Sequence, residues 1–285
     1  MPDSPADDAL SGEPEGAGVA PQEEWREPDP FADFPTPSMN ARVLFAELHR
    51  VFRPRTYTEI GVSKGGSLAR SRTKSIGVDP AFRITAELNC DVRLFRETSD
   101  DFFARPDAFA HFEGVPVDFA YIDGMHLSEF ALRDFMNIEK QMARTGVVAL
   151  DDMLPRNGLE AARVRLTRAW AGDVYKLHRV LERYRPDLTL VPVNVYQTGT
   201  YLVFGLDPDS TVLDEHYDEI EPGLLTPDPQ VVDREWLERA SAVDPEALLE
   251  LDVWESLIQL RETDPSPSEL APIWKRLASL KPASS

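Results

Sequence analysis

Short apolar segments that alternate with helical segments constrain the fold of this chain more than any other feature. The five strand-like segments cover residues 57–62, 74–80, 91–98, 117–123 and 146–152. Between the last two, residues 127–143 carry apolar side chains at the spacing of an amphipathic helix. Parallel neighbouring strands need crossover connections, and helices usually supply them. The alternation therefore predicts an α/β fold with a doubly wound, mostly parallel sheet.

A hairpin and several more helices complete the predicted fold. Residues 188–195 and 199–206 are strand-like and are separated by a short turn, which predicts an antiparallel hairpin at the edge of the sheet. Residues 207–229 are acidic and rich in proline, which indicates a linker or a surface wrap. Further helices are expected over residues 39–52, 99–110, 158–170, 173–184, 231–262 and 268–281.

The negative charge of the chain is concentrated at its ends. The 285 residues carry a net charge of −20; residues 1–38 hold ten acidic residues and one basic residue, and residues 206–285 hold nineteen and six. We expect a disordered acidic tail over residues 1–35, a folded domain over 36–206, and an acidic linker with a helical extension over 207–285. A chain without clustered Lys and Arg is not expected to bind nucleic acid.

The composition also bears on the compartment of the protein. The chain contains one cysteine, so no disulfide can form within it. No apolar run approaches the ~18 residues of a membrane span, and the first residues lack the basic and apolar regions of a signal peptide. We therefore expect a cytoplasmic protein that has no membrane partner.

Glycines and a carboxylate follow the first two predicted strands. The first strand ends in Glu59 and Gly61 and leads into Gly65 and Ser67, in a pattern that is neither a P-loop nor the dinucleotide GxGxxG. The second ends in Asp79, at the separation from Gly61 at which a carboxylate accepts ribose hydroxyls. Each feature alone could be a structural turn, but together they favour an adenosine-containing ligand. Its adenine ring would lie beside two residues after the third strand, Ser99 and Asp100.

The next two strands also end in carboxylates. Residues 119–126 are apolar up to Asp123, and His126 follows three residues later, whereas residues 146–155 run into Asp151 and Asp152. Ligands of an open α/β sheet bind beyond the carboxyl ends of its strands, so these groups would form a site if the strands share a sheet. Alternatively, Asp151 caps a helix and Asp152 faces water.

Five stretches together resemble the class I S-adenosylmethionine-dependent methyltransferases. They read TEIGVSKGGSLA, GVDP, AYIDGMHLSEFALRDF, GVVALDDMLP and WAGDVYKL. The resemblance covers about residues 41–206 and is strongest to the group of macrocin-type and cephamycin-type O-methyltransferases. It implies a Rossmann-like methyltransferase fold with seven strands, the last of them antiparallel, and S-adenosylmethionine as the methyl donor.

The resemblance also implies a divalent metal, such as Mg²⁺, beside the donor. Its ligands would be Asp123, which also borders the donor, and the pair Asp151 and Asp152. Oxygen ligands suit a hard cation, and three converging carboxylates would otherwise repel one another. Glu59 would bind the amino group of the donor, and Asp79 its ribose.

His126 is the candidate general base of this resemblance. Some relatives carry a second acid at the position of Met125, whereas this chain offers the imidazole one residue later. A neutral imidazole could take the proton of an acceptor hydroxyl, although a buried structural histidine is an equal alternative. Residues 170–176 would line the acceptor side, unless Trp170 is a packing residue.

The expected function is methyl transfer to a hydroxyl group of a small molecule, such as a sugar or natural product. The expected partner is this small-molecule acceptor, with a second copy of the chain as another candidate partner. An NAD-linked oxidoreductase is disfavoured because GxGxxG and a helical YxxxK pair are missing. The other alternative is a non-catalytic binding module that retains the fold.

Overall fold

The computed structural model describes residues 37–263 and 265–283 and contains one seven-stranded sheet. The expectation of disorder over residues 1–35 lies outside the described residues. The strand order is β3-β2-β1-β4-β5-β7-β6. The strands are β1 (Thr56–Ile60), β2 (Lys74–Val78), β3 (Val92–Phe95), β4 (Val117–Ile122), β5 (Met142–Asp151), β6 (Thr189–Val193) and β7 (Thr200–Phe204). The predicted seven-stranded sheet is confirmed.

The register of the sheet places three of the predicted site segments side by side. Strands β1, β2, β3, β4 and β5 pair in parallel, and β7 pairs antiparallel with both β5 and β6. Ile60 lies opposite Ile122, and Ile122 lies opposite Leu150. The residues that follow these three therefore emerge at the same level of the sheet.

The helices pack on both faces of the sheet. Among the described residues they are α1 (Ala41–Phe52), α2 (Ser99–Phe103), α3 (Ser128–Glu139), α4 (Leu177–Tyr184), α5 (Val212–Glu215), α6 (Tyr217–Leu224), α7 (Arg234–Leu237), α8 (Pro245–Leu249), α9 (Val253–Leu260) and α10 (Pro267–Ala278). None of the helices in the described ranges is long and apolar enough to cross a membrane.

The predicted helix over residues 158–170 is wrong, because this segment is irregular. The backbone N–H groups of Arg163 and Val164 donate to the Asp228 carboxylate at 3.0 and 3.1 Å, so a distant side chain satisfies donors that a helix would use internally. The apolar side chains of Leu159 and Val164 are exposed, so the helical spacing does not produce a buried face.

Other element boundaries also differ from the predictions. Helix α3 ends at Glu139 rather than at residue 143, because the chain enters β5 at Met142, which pairs with Val117. The segment 207–229 contains α5 and α6, and the expected long helix over residues 231–262 is divided into α7, α8 and α9.

The C-terminal extension contributes to both hydrophobic cores. One core packs the sheet against α3 and α4 and includes Leu213, Ile220 and Leu224 of the extension. The other packs the sheet against α1 and includes Trp254 and Leu270. Burial of an apolar side chain of this size stabilises a fold by about 2 kcal/mol. The described residues of the segment 207–283 are therefore integrated with both faces of the sheet.

Candidate active site

A cleft of about 870 Å³ lies at the carboxyl ends of the central strands. Six of the predicted site residues line it: Gly61, Asp79, Asp123, His126, Asp151 and Asp152. They come from the ends of β1, β2, β4 and β5, which the register brings together. This is the position at which ligands bind in open α/β sheets.

Gly61 allows the first and fourth strands to approach each other closely. Its φ is +91°, and a Cβ atom at this position would lie 1.8 Å from the carbonyl oxygen of Asp123. Asp123 in turn donates its N–H to the Ile60 carbonyl at 2.8 Å. Any side chain at position 61 would collide with the backbone of a predicted site residue, so glycine is required here.

Asp79 fixes the loop that follows β1. Its Oδ2 accepts the Ser63 N–H at 2.7 Å, and its Oδ1 accepts the Ala81 N–H at 2.6 Å. Each carboxylate oxygen still has acceptor capacity for a ligand hydroxyl. The turn and ribose interpretations of Asp79 are therefore compatible, since the same carboxylate can hold the loop and face the cleft.

Glu59 lies beneath the cleft rather than in its lining. Its side chain is 1% exposed and accepts the Tyr57 hydroxyl at 2.7 Å. Burial, reinforced by Asp123 and Asp79, raises the pKa of Glu59 to about 8. The predicted contact of Glu59 with the donor's amino group thus stays a prediction.

Four other predicted donor residues also lie outside the cleft lining. Gly65 has a φ of +77° within the loop after β1, and Ser67 precedes the short 3₁₀ helix Leu68–Arg70. Asp100 forms an ion pair with Arg133 at 2.8 Å, and Ser99 hydrogen-bonds Asp134. Their roles in donor binding stay predictions, with Ser99 and Asp100 at the start of α2.

Three side chains form a compact cluster at the floor of the cleft. Potential ligand atoms of Asp123, His126 and Asp152 all lie within 4.8 Å of one another. The Nε2 atom of His126 lies 3.3 Å from Asp123 Oδ1, and its Nδ1 lies 2.6 Å from Asp152 Oδ2. The imidazole is thus placed between two of the three carboxylates that the sequence predicts as metal ligands.

The third predicted ligand, Asp151, adjoins this cluster through a tyrosine. The Tyr121 hydroxyl lies 2.6 Å from Asp151 Oδ2 and 3.1 Å from Asp123 Oδ2. Thr200 donates to Asp151 at 2.8 Å, and Thr198 donates to Asp152. The sequence did not single out these three hydroxyl groups, because their contacts depend on the pairing of β5 with β4 and with β7.

The electrostatics of the cluster depend on its burial. Burial raises the pKa of Asp123, Asp151 and Asp152, and the pKa of Asp151 rises to about 6. Burial alone would lower the pKa of His126. The neighbouring carboxylates of Asp152 and Asp123 have the larger effect and raise this pKa well above 6.5. The cluster therefore holds a proton on the imidazole in the absence of another cation.

Both His126 and Asp152 have unusual backbone conformations. Their φ values are +57° and +60°, a region that costs a residue with a side chain about 1–2 kcal/mol. The Nδ1 atom of His126 is buried and forms no well-aligned hydrogen bond with a described residue, despite its short contact with Asp152. This close approach to the Asp152 carboxylate contributes to the raised pKa of His126.

Trp170 forms the wall beside His126. The two rings stack with a centroid separation of 5.1 Å and an interplanar angle of 10°. The indole N–H donates to the Ala162 carbonyl at 2.6 Å, and a Cβ at Gly172 would lie 1.7 Å from the His126 carbonyl oxygen. The predicted acceptor-side segment is therefore packed directly on the candidate base.

Part of the chain matches a known protein family. Residues 58–153, from β1 to just beyond β5, match a family described as "Methyltransferase domain". A comparison with curated proteins gave no match.

Solved structures of methyltransferases are similar to this chain at low identity. The O-methyltransferase TomG from Streptomyces achromogenes, in complex with SAM, is 18% identical over 64% of this chain and 92% of that chain, with a TM-score of 0.44. An O-methyltransferase from Bacillus cereus, in complex with SAH, is 17% identical over 60% and 84%, with a TM-score of 0.42. MycE from the mycinamycin biosynthetic pathway, in complex with Mg and SAH, is 18% identical over 57% and 49%, with a TM-score of 0.41.

The family match falls on the part of the sheet that carries the candidate site. The seven strands and the antiparallel last strand are those expected from the resemblance in the sequence. Residues 58–153 are therefore similar to a methyltransferase domain over the part of the sheet that runs from β1 to just beyond β5.

Proposed function

We propose that this protein transfers a methyl group from S-adenosylmethionine to a hydroxyl group of a small molecule, such as a sugar or natural product, with the help of a divalent cation. One observation carries the proposal. Gly61 and Asp79, the predicted donor residues, line the same cleft as the cluster of Asp123, His126 and Asp152.

The donor would bind over the loop that follows β1. Its ribose hydroxyls would donate to the Asp79 carboxylate, whose two oxygens are oriented by backbone N–H groups. Its adenine would extend towards Ser99 and Asp100, and its methionine part would lie near Gly61. Gly61 supports this placement because it lines the same cleft as Asp79 at the end of β1.

The residues at the floor of the cleft fit a divalent cation. Asp123 and Asp152 would supply carboxylate oxygens, with Asp151 close by, and such ligands suit Mg²⁺ with water in its remaining positions. When bound, a cation of this kind lowers the pKa of a hydroxyl group that it contacts. It would also neutralise the carboxylates that hold the proton on His126.

His126 is the residue we assign as the proton acceptor. In the transfer, the S–CH₃ bond of the sulfonium breaks as the O–CH₃ bond forms, and the donor leaves as a neutral thioether. The hydroxyl proton of the acceptor goes to His126, which must be neutral at that moment. Trp170 would hold the ring in place by stacking and exclude water from one side.

The proposal also includes the cellular compartment and the partner of the protein. We infer a cytoplasmic location, in keeping with the single cysteine, and a small-molecule acceptor as the partner. Residues 207–285 would act as an extension of the methyltransferase domain, because the described part of this segment packs into both cores.

The test is S-adenosylhomocysteine formation with a panel of hydroxylated sugars, glycosides and phenols. The wild type is assayed with Mg²⁺ and with a chelator, beside His126→Asn, Asp152→Asn and a control, Asp107→Asn, whose carboxylate pairs with Arg105 on the surface. We expect acceptor-dependent turnover that the chelator and both cleft variants reduce at least ~100-fold. Donor binding without turnover on any acceptor, and with no effect of Mg²⁺, would favour the non-catalytic binding module.

A further inference from the structure

A second pocket, of about 510 Å³, adjoins the cleft along helix α1. It lies between the second half of α1 and the segment that leads into β2. Four arginines line it, Arg50, Arg53, Arg70 and Arg72, together with His49. Arg70 also lines the 870 Å³ cleft, so the two cavities share a wall.

The positive charge of this pocket is only partly neutralised. Arg50 pairs with Glu47 at 2.7 Å, and Arg53 pairs with Glu255. Arg72 donates to the carbonyl groups of Ala69 and Ser71 at 2.7 Å, which carry no net charge. Within residues 37–263 and 265–283, neither Arg70 nor Arg72 forms an ion pair.

The lining of the pocket is unusual for a chain of this charge. The protein as a whole carries −20, yet no carboxylate lines this pocket. Like charges at close range repel one another, so an anion bound beside Arg70 and Arg72, which have no carboxylate partner among the described residues, would relieve this repulsion. Guanidinium groups are also the side chains that bind phosphoryl groups in a bidentate manner.

His49 contributes a second, independent observation. Its ring packs edge-on against Tyr57 and Phe119, with centroid separations of 4.9 and 5.3 Å. Its Nε2 atom is buried and has no hydrogen-bond partner among the described residues. Burial, and then the charge of Arg72, lower the pKa of His49 to about 4, so the ring is neutral at pH 7. A buried polar atom without a partner is unfavourable, and His49 lines this pocket, so a polar ligand bound there would supply the missing partner.

We propose that this arginine pocket binds a phosphoryl group. Because Arg70 lines both cavities, the phosphoryl group is assigned to the methyl acceptor. The acceptor would be a phosphorylated small molecule whose hydroxyl group reaches the cleft while its phosphate lies among the arginines. That assignment rests on the proposed function. The alternative source is a separate phosphate-bearing ligand, which would occupy the pocket without entering the cleft.

The binding test uses inorganic pyrophosphate as the probe, titrated calorimetrically into the full-length protein without methyl donor. The variants are Arg70→Gln and Arg72→Gln, with Arg183→Gln as the control, since Arg183 is an exposed arginine paired with Glu219. We expect saturable binding that each pocket variant weakens at least ~10-fold and that the control leaves unchanged, with partial recovery in Arg72→Lys. Absence of saturable binding, or equal weakening in the control, would overturn the proposal.

A second measurement identifies the source of the phosphoryl group. Methyl transfer is compared for matched acceptors with and without a phosphate group, in wild type and Arg70→Gln. If the acceptor carries the phosphate, we expect Arg70→Gln to raise the KM for the phosphorylated acceptor at least ~10-fold. We also expect pyrophosphate to compete with this acceptor. Pyrophosphate binding without competition would assign the pocket to a separate ligand. Because pyrophosphate binding is measured without the donor, failure of donor binding would contradict the proposed function alone.

Discussion

The Nδ1 atom of His126 lies 2.6 Å from the Oδ2 atom of Asp152, and both residues have left-handed backbones. Left-handed residues with side chains cost free energy and persist only where their surroundings hold them. Here the Trp170 ring stacks on His126, and Thr198 donates to Asp152. This pair therefore provides a fixed geometry at the place where the proposed reaction needs both a proton acceptor and a cation ligand.

Removal of the Asp152 charge is expected to lower the pKa of His126. The Asp152 carboxylate is the largest of the influences that raise the pKa of the imidazole, so Asp152→Asn favours its neutral form. An NMR titration of the His126 ring in metal-free protein measures the change, with Asp107→Asn as the control. If the pKa of His126 is the same in wild type and Asp152→Asn, the two groups do not interact as the structure indicates.

Glu59 is expected to make the stability of the metal-free protein fall as the pH rises. Its pKa is about 8 in the folded protein and 4.5 in a solvated chain, so the folded state binds the proton more tightly. The contribution of Glu59 to the free energy of unfolding is fully present below pH 4.5 and is lost as the pH rises through about 8. Glu59→Gln cannot ionise, so urea unfolding across this range should show a shallower pH dependence. An unchanged slope in Glu59→Gln would contradict the assigned burial.

Gly61→Ala is expected to destabilise the protein far more than Gly114→Ala. Both glycines have positive φ, +91° and +84°, so both substitutions incur backbone strain of about 1–2 kcal/mol. Only at position 61 does the new Cβ meet backbone, 1.8 Å from the Asp123 carbonyl oxygen, whereas at 114 no atom lies within 4 Å. Urea unfolding of the two variants gives the comparison. Equal losses would mean that β1 and β4 are not so closely apposed.

Arg185→Ala is expected to reduce the free energy of unfolding by about 3–5 kcal/mol, because it leaves a buried carboxylate without its partner. Arg185 is 2% exposed and pairs with Glu139 at 2.6 Å. Arg183→Ala removes a neighbouring exposed ion pair and should cost about 1 kcal/mol or less. Chemical denaturation of both variants measures the difference, and similar losses would show that the Arg185 pair is solvated.

The sequence predicted those parts of the fold whose signals are local. Each central strand is an apolar segment of its own, and the carboxylates at the strand ends follow directly in the chain. Asp123 and Asp152 could therefore be expected to lie together if their strands shared a parallel sheet. The hairpin was equally local, with two strand-like segments around a short turn.

The sequence could not reveal features that depend on distant contacts. Residues 158–170 have helical spacing, but Asp228 binds the backbone N–H groups of Arg163 and Val164. The contact of Thr200 with Asp151 depends on the antiparallel register of β7 against β5. The position of His126 between two carboxylates requires a left-handed backbone conformation, which no motif in the sequence predicts.

Calorimetric titration of S-adenosylmethionine into the full-length protein tests the central claim most directly. It is run with and without Mg²⁺ on wild type, Asp79→Ala and the control Asp107→Ala, with the fold of each variant checked by circular dichroism. We predict saturable binding that Asp79→Ala weakens ~100-fold or more, since two charge-assisted hydrogen bonds are lost, while Asp107→Ala binds like wild type. Equal affinity in Asp79→Ala and wild type, or no binding by any of the three, would contradict the assignment of this cleft to the methyl donor.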